Sequence, residues 1–230
     1  MESIQKRLDK ARSNIKTGDK KYVAECEVLE KIYNCLSEEK PARSISFTEE
    51  ETPYVNGLFL LTAKPVIYVA NMSENDIENP MQNKFVKQVA ETAKNENAEV
   101  IPLCVKIEEE LSELDDEDRL LFMQDLKMAE SGLNLLVKAC YKLLGLISYL
   151  TAGEKETRAW TIEKGTKAPQ AAGKIHSDFE KGFIRAEVID TDMLLEYGNY
   201  NAAKEKGKVR LEGKDYVVKD GDVILFRFNV

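Results

Sequence analysis

The sequence predicts a mixed architecture, α/β plus α+β: a pair of helices, a layered α/β part and a smaller α+β part. Three observations carry this. Apolar residues recur at spacings of three and four through the first forty residues. Two short runs rich in β-branched residues, Val66-Ile67-Tyr68-Val69-Ala70 and Val100-Ile101-Pro102-Leu103-Cys104-Val105, flank a helical pattern. From Ile147 onward the pattern changes to short alternating segments broken by turn dipeptides. The resulting divisions are 1–40, 41–146 and 147–230.

In the first part, Ile4, Leu8, Ala11 and Ile15 form one seam, and Tyr22, Cys26, Leu29, Tyr33 and Leu36 form another. Between them lies Lys16-Thr17-Gly18-Asp19, where Gly18 suits a left-handed helix end and Asp19 a helix cap. Two heptads per helix are too short to be stable alone, so the pair must dock on something. Pro41 stops the second helix, and Thr48-Glu49-Glu50-Glu51 reads as the capped start of another.

The two β-branched runs read as strands buried on both faces, the pattern of a parallel sheet. A helix from about Pro80 to Lys94, with Phe85, Val86, Val89 and Ala93 on one face, joins them into a βαβ unit. Further helices are expected around Asp116–Asp125 and over Ser131–Leu144, the latter carrying Leu133, Leu136, Val137, Cys140 and Leu144. Beyond Ile147, strands are expected at Arg158–Ile162, Phe183–Ile189, Lys208–Leu211, Tyr216–Val218 and Val223–Phe228, with a helix around Pro169–Ile175. This element set suggests a β-grasp fold.

Charge and composition exclude several classes. There are 33 basic and 41 acidic residues, a net charge of −8. All of it lies in residues 1–146, with 19 basic against 27 acidic, while residues 147–230 hold 14 of each. Neither part has the strongly basic balance of a dedicated nucleic-acid binder. A local basic face remains open, since Lys164, Lys167, Lys174, Lys181 and Arg185 cluster in sequence. The longest uncharged stretch, Thr52–Ala63, has twelve residues and cannot span a bilayer. The charged start MESIQKRLDK does not read as a secretory signal. Cys26, Cys35, Cys104 and Cys140 show no CxxC spacing and are expected to be reduced thiols in a cytosolic protein. A single histidine, His176, disfavours His-based metal and triad chemistry. The acidic runs Glu108–Glu110 and Asp115–Asp118 read as solvated helix faces, and no metal ligand or catalytic residue is assigned.

In an open parallel sheet, ligands bind beyond the carboxyl ends of the strands. Those ends are Asn71-Met72-Ser73-Glu74 and, starting 33 residues later, Cys104-Val105-Lys106. An asparagine amide can both donate to and accept from a purine edge. A carboxylate three residues on accepts from an exocyclic amine, and Met72 can lie against a flat ring. The candidate base-binding residues are therefore Asn71, Met72, Glu74, Cys104, Val105 and Lys106. The residues alone leave a second reading open, a solvated loop in which Asn71 and Glu74 only cap backbone groups.

The sequence resembles the Obg-like ATPase (YchF) family. The resemblance rests on Leu61-Thr62-Ala63-Lys64-Pro65, Asn71-Met72-Ser73-Glu74, Ser131-Gly132-Leu133, Thr151-Ala152-Gly153-Glu154-Lys155-Glu156, Arg158-Ala159-Trp160-Thr161, Ala168-Pro169-Gln170-Ala171-Ala172-Gly173 and Asp220-Gly221-Asp222-Val223 through Phe226-Arg227-Phe228-Asn229-Val230. It implies a coiled-coil hairpin, the C-terminal part of a P-loop-NTPase-like nucleotide domain and a C-terminal TGS domain of β-grasp fold. It also implies an Asn-Met-x-Glu loop that prefers ATP over GTP, with Mg2+ as a cofactor of the full-length family. The implied partner is the ribosome, its large subunit or RNA, in the cytoplasm, with no membrane role. The family's P-loop, Gly-x-x-x-x-Gly-Lys-Ser/Thr, does not occur in these 230 residues, and Gly165 to Gly173-Lys174-Ile175 imitates it with the wrong spacing. The expectation is a chain that starts inside the hairpin insertion, with P-loop and switch residues upstream, binding a purine nucleotide but inactive in hydrolysis alone. The alternative is a non-enzymatic ribosome- or RNA-binding module acting through the TGS domain and the hairpin. His176 does not replace the family's catalytic histidine and reads as structural.

Overall fold

Asp19 fixes the first turn of the molecule, because its carboxylate accepts from the Lys21 amide at 2.9 Å and so caps a new helix after Gly18, whose φ is +80°. A computed structural model of the chain describes residues 1–16, 18–153 and 156–229. Thr17 of this turn, Glu154 and Lys155 of the Thr151–Glu156 motif, and Val230 lie outside the described residues. The described chain forms two compact units, 1–135 and 136–230.

In the first unit, helices α1 (Glu2–Ile15) and α2 (Lys20–Ser37) pack together and are tied by Arg7–Glu25 and Arg12–Glu30 ion pairs. Ile4, Leu8 and Ala11 are buried as the spacing predicts, but Ile15 is exposed. On α2 the expected seam is incomplete. Val28 and Ile32 are also buried, while Tyr33 and Leu36 are only half-buried. The reason is that α2 serves a second contact: the segment 42–63 folds onto it and adds Ala42, Ile45, Phe47, Val55 and Leu58 to the same core. Burying a side chain such as Ile32 contributes about 1.5–3 kcal/mol. That packing meets the need for support that short helices carry. The expected capping box is present, with Thr48 and Glu51 exchanging side-chain-to-amide hydrogen bonds before the short helix α3 (Thr52–Asn56).

Strands β1 (Ile67–Asn71) and β2 (Glu99–Leu103) pair in parallel, with Asn71 opposite Leu103. Helix α4 (Lys84–Asn95), capped by Asn83, joins them and buries Val86 and Ala93. The β1 run is not buried on both faces as expected: Val69 is 45% exposed, because among the described residues this sheet has two strands and α4 covers one side. Phe85, expected on the buried face of α4, is exposed, as it sits in the first turn beside the cap. Arg43 and Tyr68 both bond the Glu96 carboxylate, which fastens the helix-supporting segment to the sheet. Helices α5 (Val105–Glu113), α6 (Asp116–Asp125) and α7 (Gly132–Leu143) follow. On α7, Leu133 and Val137 are exposed rather than buried, as is Leu144 just beyond its end.

The second unit is built on a five-stranded sheet in the order β4-β3-β7-β5-β6. These strands are β3 (Leu146–Ala152), β4 (Thr157–Glu163), β5 (Phe183–Asp190), β6 (Arg210–Glu212) and β7 (Asp222–Phe228). Only β3 and β7 pair in parallel. Sequence reasoning placed the change of pattern at Ile147 but assigned no strand between there and Arg158, and so missed β3. It assigned a strand to Tyr216–Val218, which makes only an isolated bridge between Val217 and Lys167. Helix α8 (Ala168–Ile175) lays Ala168, Ala171 and Ala172 against the sheet, where Tyr149 gives its hydroxyl proton to the Ala171 carbonyl. Three short helices, α9 (Ser177–Lys181), α10 (Thr191–Tyr197) and α11 (Tyr200–Glu205), complete it.

Among the described residues of this unit two carboxylates are buried, Glu187 and Asp222, each 2% exposed. Glu187 on β5 bonds Arg227 at 2.9 Å, the Tyr200 hydroxyl and Lys204. Asp222 accepts from the Tyr216 hydroxyl and the Lys219 amide. Arg227, then Tyr200, holds the Glu187 carboxyl down at about 2, against an ordinary 4.5. A depressed carboxylate stabilises the fold fully above its unfolded value and loses that contribution as pH falls toward the folded one. We therefore expect Glu187→Gln to cost on the order of 3 kcal/mol at neutral pH. Urea unfolding followed by emission of the single tryptophan, Trp160, should show the gap to wild type closing between about pH 5 and pH 2. A gap that does not change with pH would contradict this role.

Candidate functional site

The parallel register sets Asn71 at the carboxyl end of β1 level with Leu103 at the end of β2, so the two following segments emerge side by side. The Met72 amide donates to the Leu103 carbonyl at 2.9 Å, extending the pairing one residue past the strands. Segment 104–106 is not a second loop, as the sequence suggested. Cys104 is the N-cap of α5, and Val105 and Lys106 form its first turn. Helix starts leave amide donors without partners, and the Cys104 side chain gives no capping bond. Asn71 supplies it from the neighbouring strand, its Oδ1 accepting from the Val105 amide at 3.2 Å. The capping reading of Asn71 is thus realised across strands, while its amide group retains donors for a ligand.

Glu74 opens a short 3-10 turn, Glu74–Asp76, and bonds Lys106 Nζ at 2.9 Å. That hydrogen bond raises the Lys106 pKa above its ordinary value. Both side chains are at least half exposed, so the pair is screened and contributes little to stability. The loop is shaped by Asp76, which accepts from Ser73 and Asn83, with the Asn83 bond chiefly holding its carboxyl low.

Asn71, Glu74, Val105 and Lys106 lie at the surface, Met72 is half-buried and Cys104 is buried. Met72 and Cys104, but not the other four, line an adjoining cavity of about 270 Å³ together with Ile77, Pro102, Ile107 and Met128. The structure thus brings the six residues to one sheet end, four on an exposed rim and two, Met72 and Cys104, in an adjoining recess that Glu108, Lys127 and Glu130 also line.

Sequence reasoning missed Glu108. It is no solvated helix face, because its carboxylate accepts from the amides of Gly132 at 2.6 Å and Leu133 at 3.1 Å, capping α7. A side chain at Gly132 would stand 2.8 Å from the Leu103 Cβ and 2.9 Å from Glu108, so glycine is required there. A glycine at a helix start, following Ser131, was the available signal. The second acidic run does include a cap, Asp115, which accepts from the Asp118 amide.

The five basic residues of the second unit are all exposed but sit on separate elements. Lys164 follows β4, Lys167 precedes α8 and pairs with Asp215, Lys174 ends α8, Lys181 ends α9 and Arg185 lies on β5. His176 Nδ1 accepts from the Asp178 amide, a cap for α9. No helix among the described residues is long and apolar enough to cross a membrane.

The chain is 54% identical, over all 230 residues, to a protein named ribosome-binding ATPase YchF from Bacillus subtilis. Over its whole length the chain is homologous to the YchF (Obg-like ATPase) family. It is also 47% identical to a ribosome-binding ATPase YchF of Escherichia coli O157:H7, and 42% identical over 219 residues to Obg-like ATPase 1 of Rattus norvegicus. It spans 63%, 62% and 55% of those proteins respectively. Residues 146–229 match the YchF-GTPase_C family, described as a protein of unknown function (DUF933). The solved YchF GTPase of Schizosaccharomyces pombe superposes with a TM-score of 0.84 at 36% identity, covering 98% of this chain and 61% of that one. A GTP binding protein of Pyrococcus horikoshii, 15% identical with a TM-score of 0.53, shares the fold.

We expect Asn71→Ala to cost about 0.5–2 kcal/mol, as loss of a helix cap does, and to speed hydrogen exchange at the Val105 amide selectively. Unchanged exchange at Val105 would show that Asn71 does not cap α5.

Proposed function

We propose that this chain is the nucleotide-base-recognising and ribosome-facing portion of a YchF ATPase. In this reading Asn71, Met72, Glu74, Cys104, Val105 and Lys106 hold a purine, with adenine preferred over guanine. The observation that carries it is the Asn71–Leu103 register, which sets an amide, a carboxylate and a helix N-terminus along one rim beside the Met72 recess. The donor set fits a purine edge: the Asn71 amide gives and accepts, the Glu74 carboxylate accepts from an exocyclic amine, and first-turn amides of α5 donate to ring nitrogens. Glu74 exchanges its Lys106 partner for the base, at small cost because that pair is exposed. The Lys106 stem then lies beside the ring.

The names of the relatives, ATPase and GTPase, support a purine nucleoside triphosphate as ligand; ATP preferred over GTP, with Mg2+, is our reading. Phosphate positioning and magnesium binding are assigned to no residue of this chain, and hydrolysis is not routed through its side chains. The helices α1 and α2 are read as the coiled-coil hairpin and residues 147–230 as a TGS β-grasp domain. Both are read as surfaces for the large ribosomal subunit or its RNA in the cytoplasm; the names of the relatives support the ribosome as partner. Lys164, Lys167, Lys174, Lys181 and Arg185 are the candidate RNA contacts.

The base assignment is tested by the double substitution Met72→Lys/Glu74→Asp. Loss of a hydrogen-bond partner in a desolvated site costs about 1–3 kcal/mol. Competition of ATP and GTP against a fluorescent adenine nucleotide should therefore show the ratio of affinities moving toward GTP by at least fivefold. An unchanged ratio would remove Met72 and Glu74 from base selection.

A further inference from the structure

The second unit contains a recess that the base-recognition reading does not use. Its volume is about 430 Å³, within the range of small-molecule sites, about 300–1,000 Å³. Three backbone segments wall it: the start of β3 (Gly145, Leu146, Ile147), the turn after β4 (Lys164, Gly165) and the stretch before β7 (Val217 to Asp220). Hydrogen bonds pin these walls to one another. The Lys164 amide donates to Gly145, the Val218 amide to Thr166 and the Gly221 amide to Ser148, while Asp220 accepts from the Ser148 amide. The recess is therefore formed before any ligand arrives. Its floor is aliphatic, from Leu146, Ile147, Val217 and Val218, and Lys142, Lys164 and Lys219 stand around it. The carboxylate of Asp220, the one acidic residue lining it, is already engaged by a backbone amide. Gly165, with φ +96°, leaves open space where a side chain would stand, so the turn presents its backbone to the recess.

An aliphatic floor with a lysine rim suits a ligand with a flat weakly polar body and a phosphate. Lysine is a point-charge phosphate binder with three donors. We infer that this recess, between the β3 start, the β4 turn and the 217–220 segment, binds a nucleotide unit, its phosphate on Lys164 and Lys219 and its base over Ile147 and Val217. The unit comes either from a free nucleotide or from an RNA strand, and both present the same chemistry. The inference does not depend on the purine reading of Asn71 and Glu74.

The test is amide-shift mapping of the full chain with three probes: uridine monophosphate, an oligouridine of about eight nucleotides, and inorganic phosphate. Uridine monophosphate should move Gly145, Lys164, Gly165 and Lys219 and leave residues 71–74 and 104–106 in place. Lys164→Gln with Lys219→Gln should weaken that binding at least tenfold without altering Trp160 emission. Shifts with the oligouridine alone support the site and identify an RNA strand as the source, whereas shifts with both probes identify the mononucleotide as sufficient. The inference is overturned if neither nucleotide probe moves these amides, if the double variant binds as tightly as wild type, or if inorganic phosphate binds as well as uridine monophosphate, since the floor would then contribute nothing.

Discussion

The parallel pairing of β1 with β2 is the constraint on which the candidate site depends. Two strands that run together, in register from Ile67–Glu99 to Asn71–Leu103, must end together. Whatever follows each strand is then delivered to the same place. Here one strand delivers Asn71 to Glu74 and the other delivers the start of α5. Asn71 closes the arrangement by accepting from the Val105 amide, so the residue proposed to read a base edge also holds the neighbouring helix in place. In the proposed reading, such a side chain couples local stability to recognition. Gly132 adds a steric condition, since α7 begins so near Leu103 that a Cβ there would overlap it.

The C-terminal unit is organised differently, around charge inside the sheet. Glu187 and Asp222 lie on paired strands β5 and β7; Glu187 is held by a hydroxyl and two cations, and Asp222 by a hydroxyl and a backbone amide. Carboxylates so buried are costly unless fully bonded, and these are. Their partners, Arg227 and Lys204 around one and Tyr216 and Lys219 around the other, come from β7, α11 and the 216–219 segment. The same segment forms one wall of the lysine-rimmed recess, so the buried Asp222 helps to hold that recess open.

Much of the fold was legible in the sequence because local rules and tertiary packing agree there. The Asp19 cap, the Thr48–Glu51 box and the periodicity of α1 each follow from a few neighbouring residues. The failures fall where one element serves two contacts or where a partner is remote. Val28 and Ile32 lie off the α2 seam because the 42–63 segment needs a second face. β3 was lost because, although the pattern changes at Ile147, Leu146 to Ala152 follow α7 with no turn signal other than Gly145. At the site, the residue types at both strand ends were legible from the βαβ pattern. The helical state of Val105 and Lys106 was not, since its cap comes from Asn71 on another strand. Glu108 was hidden for a like reason, its partners being amides 24 and 25 residues away.

The central claim is that the two strand ends form one purine-selective rim. Backbone amide shift mapping of the 230-residue chain with adenosine monophosphate and, separately, guanosine monophosphate tests it without any phosphate site being required. The account predicts that the adenine nucleotide perturbs Asn71–Glu74 and Cys104–Lys106 together and saturates at lower concentration than the guanine nucleotide. Perturbation of one segment without the other, or equal responses to both bases, would contradict it.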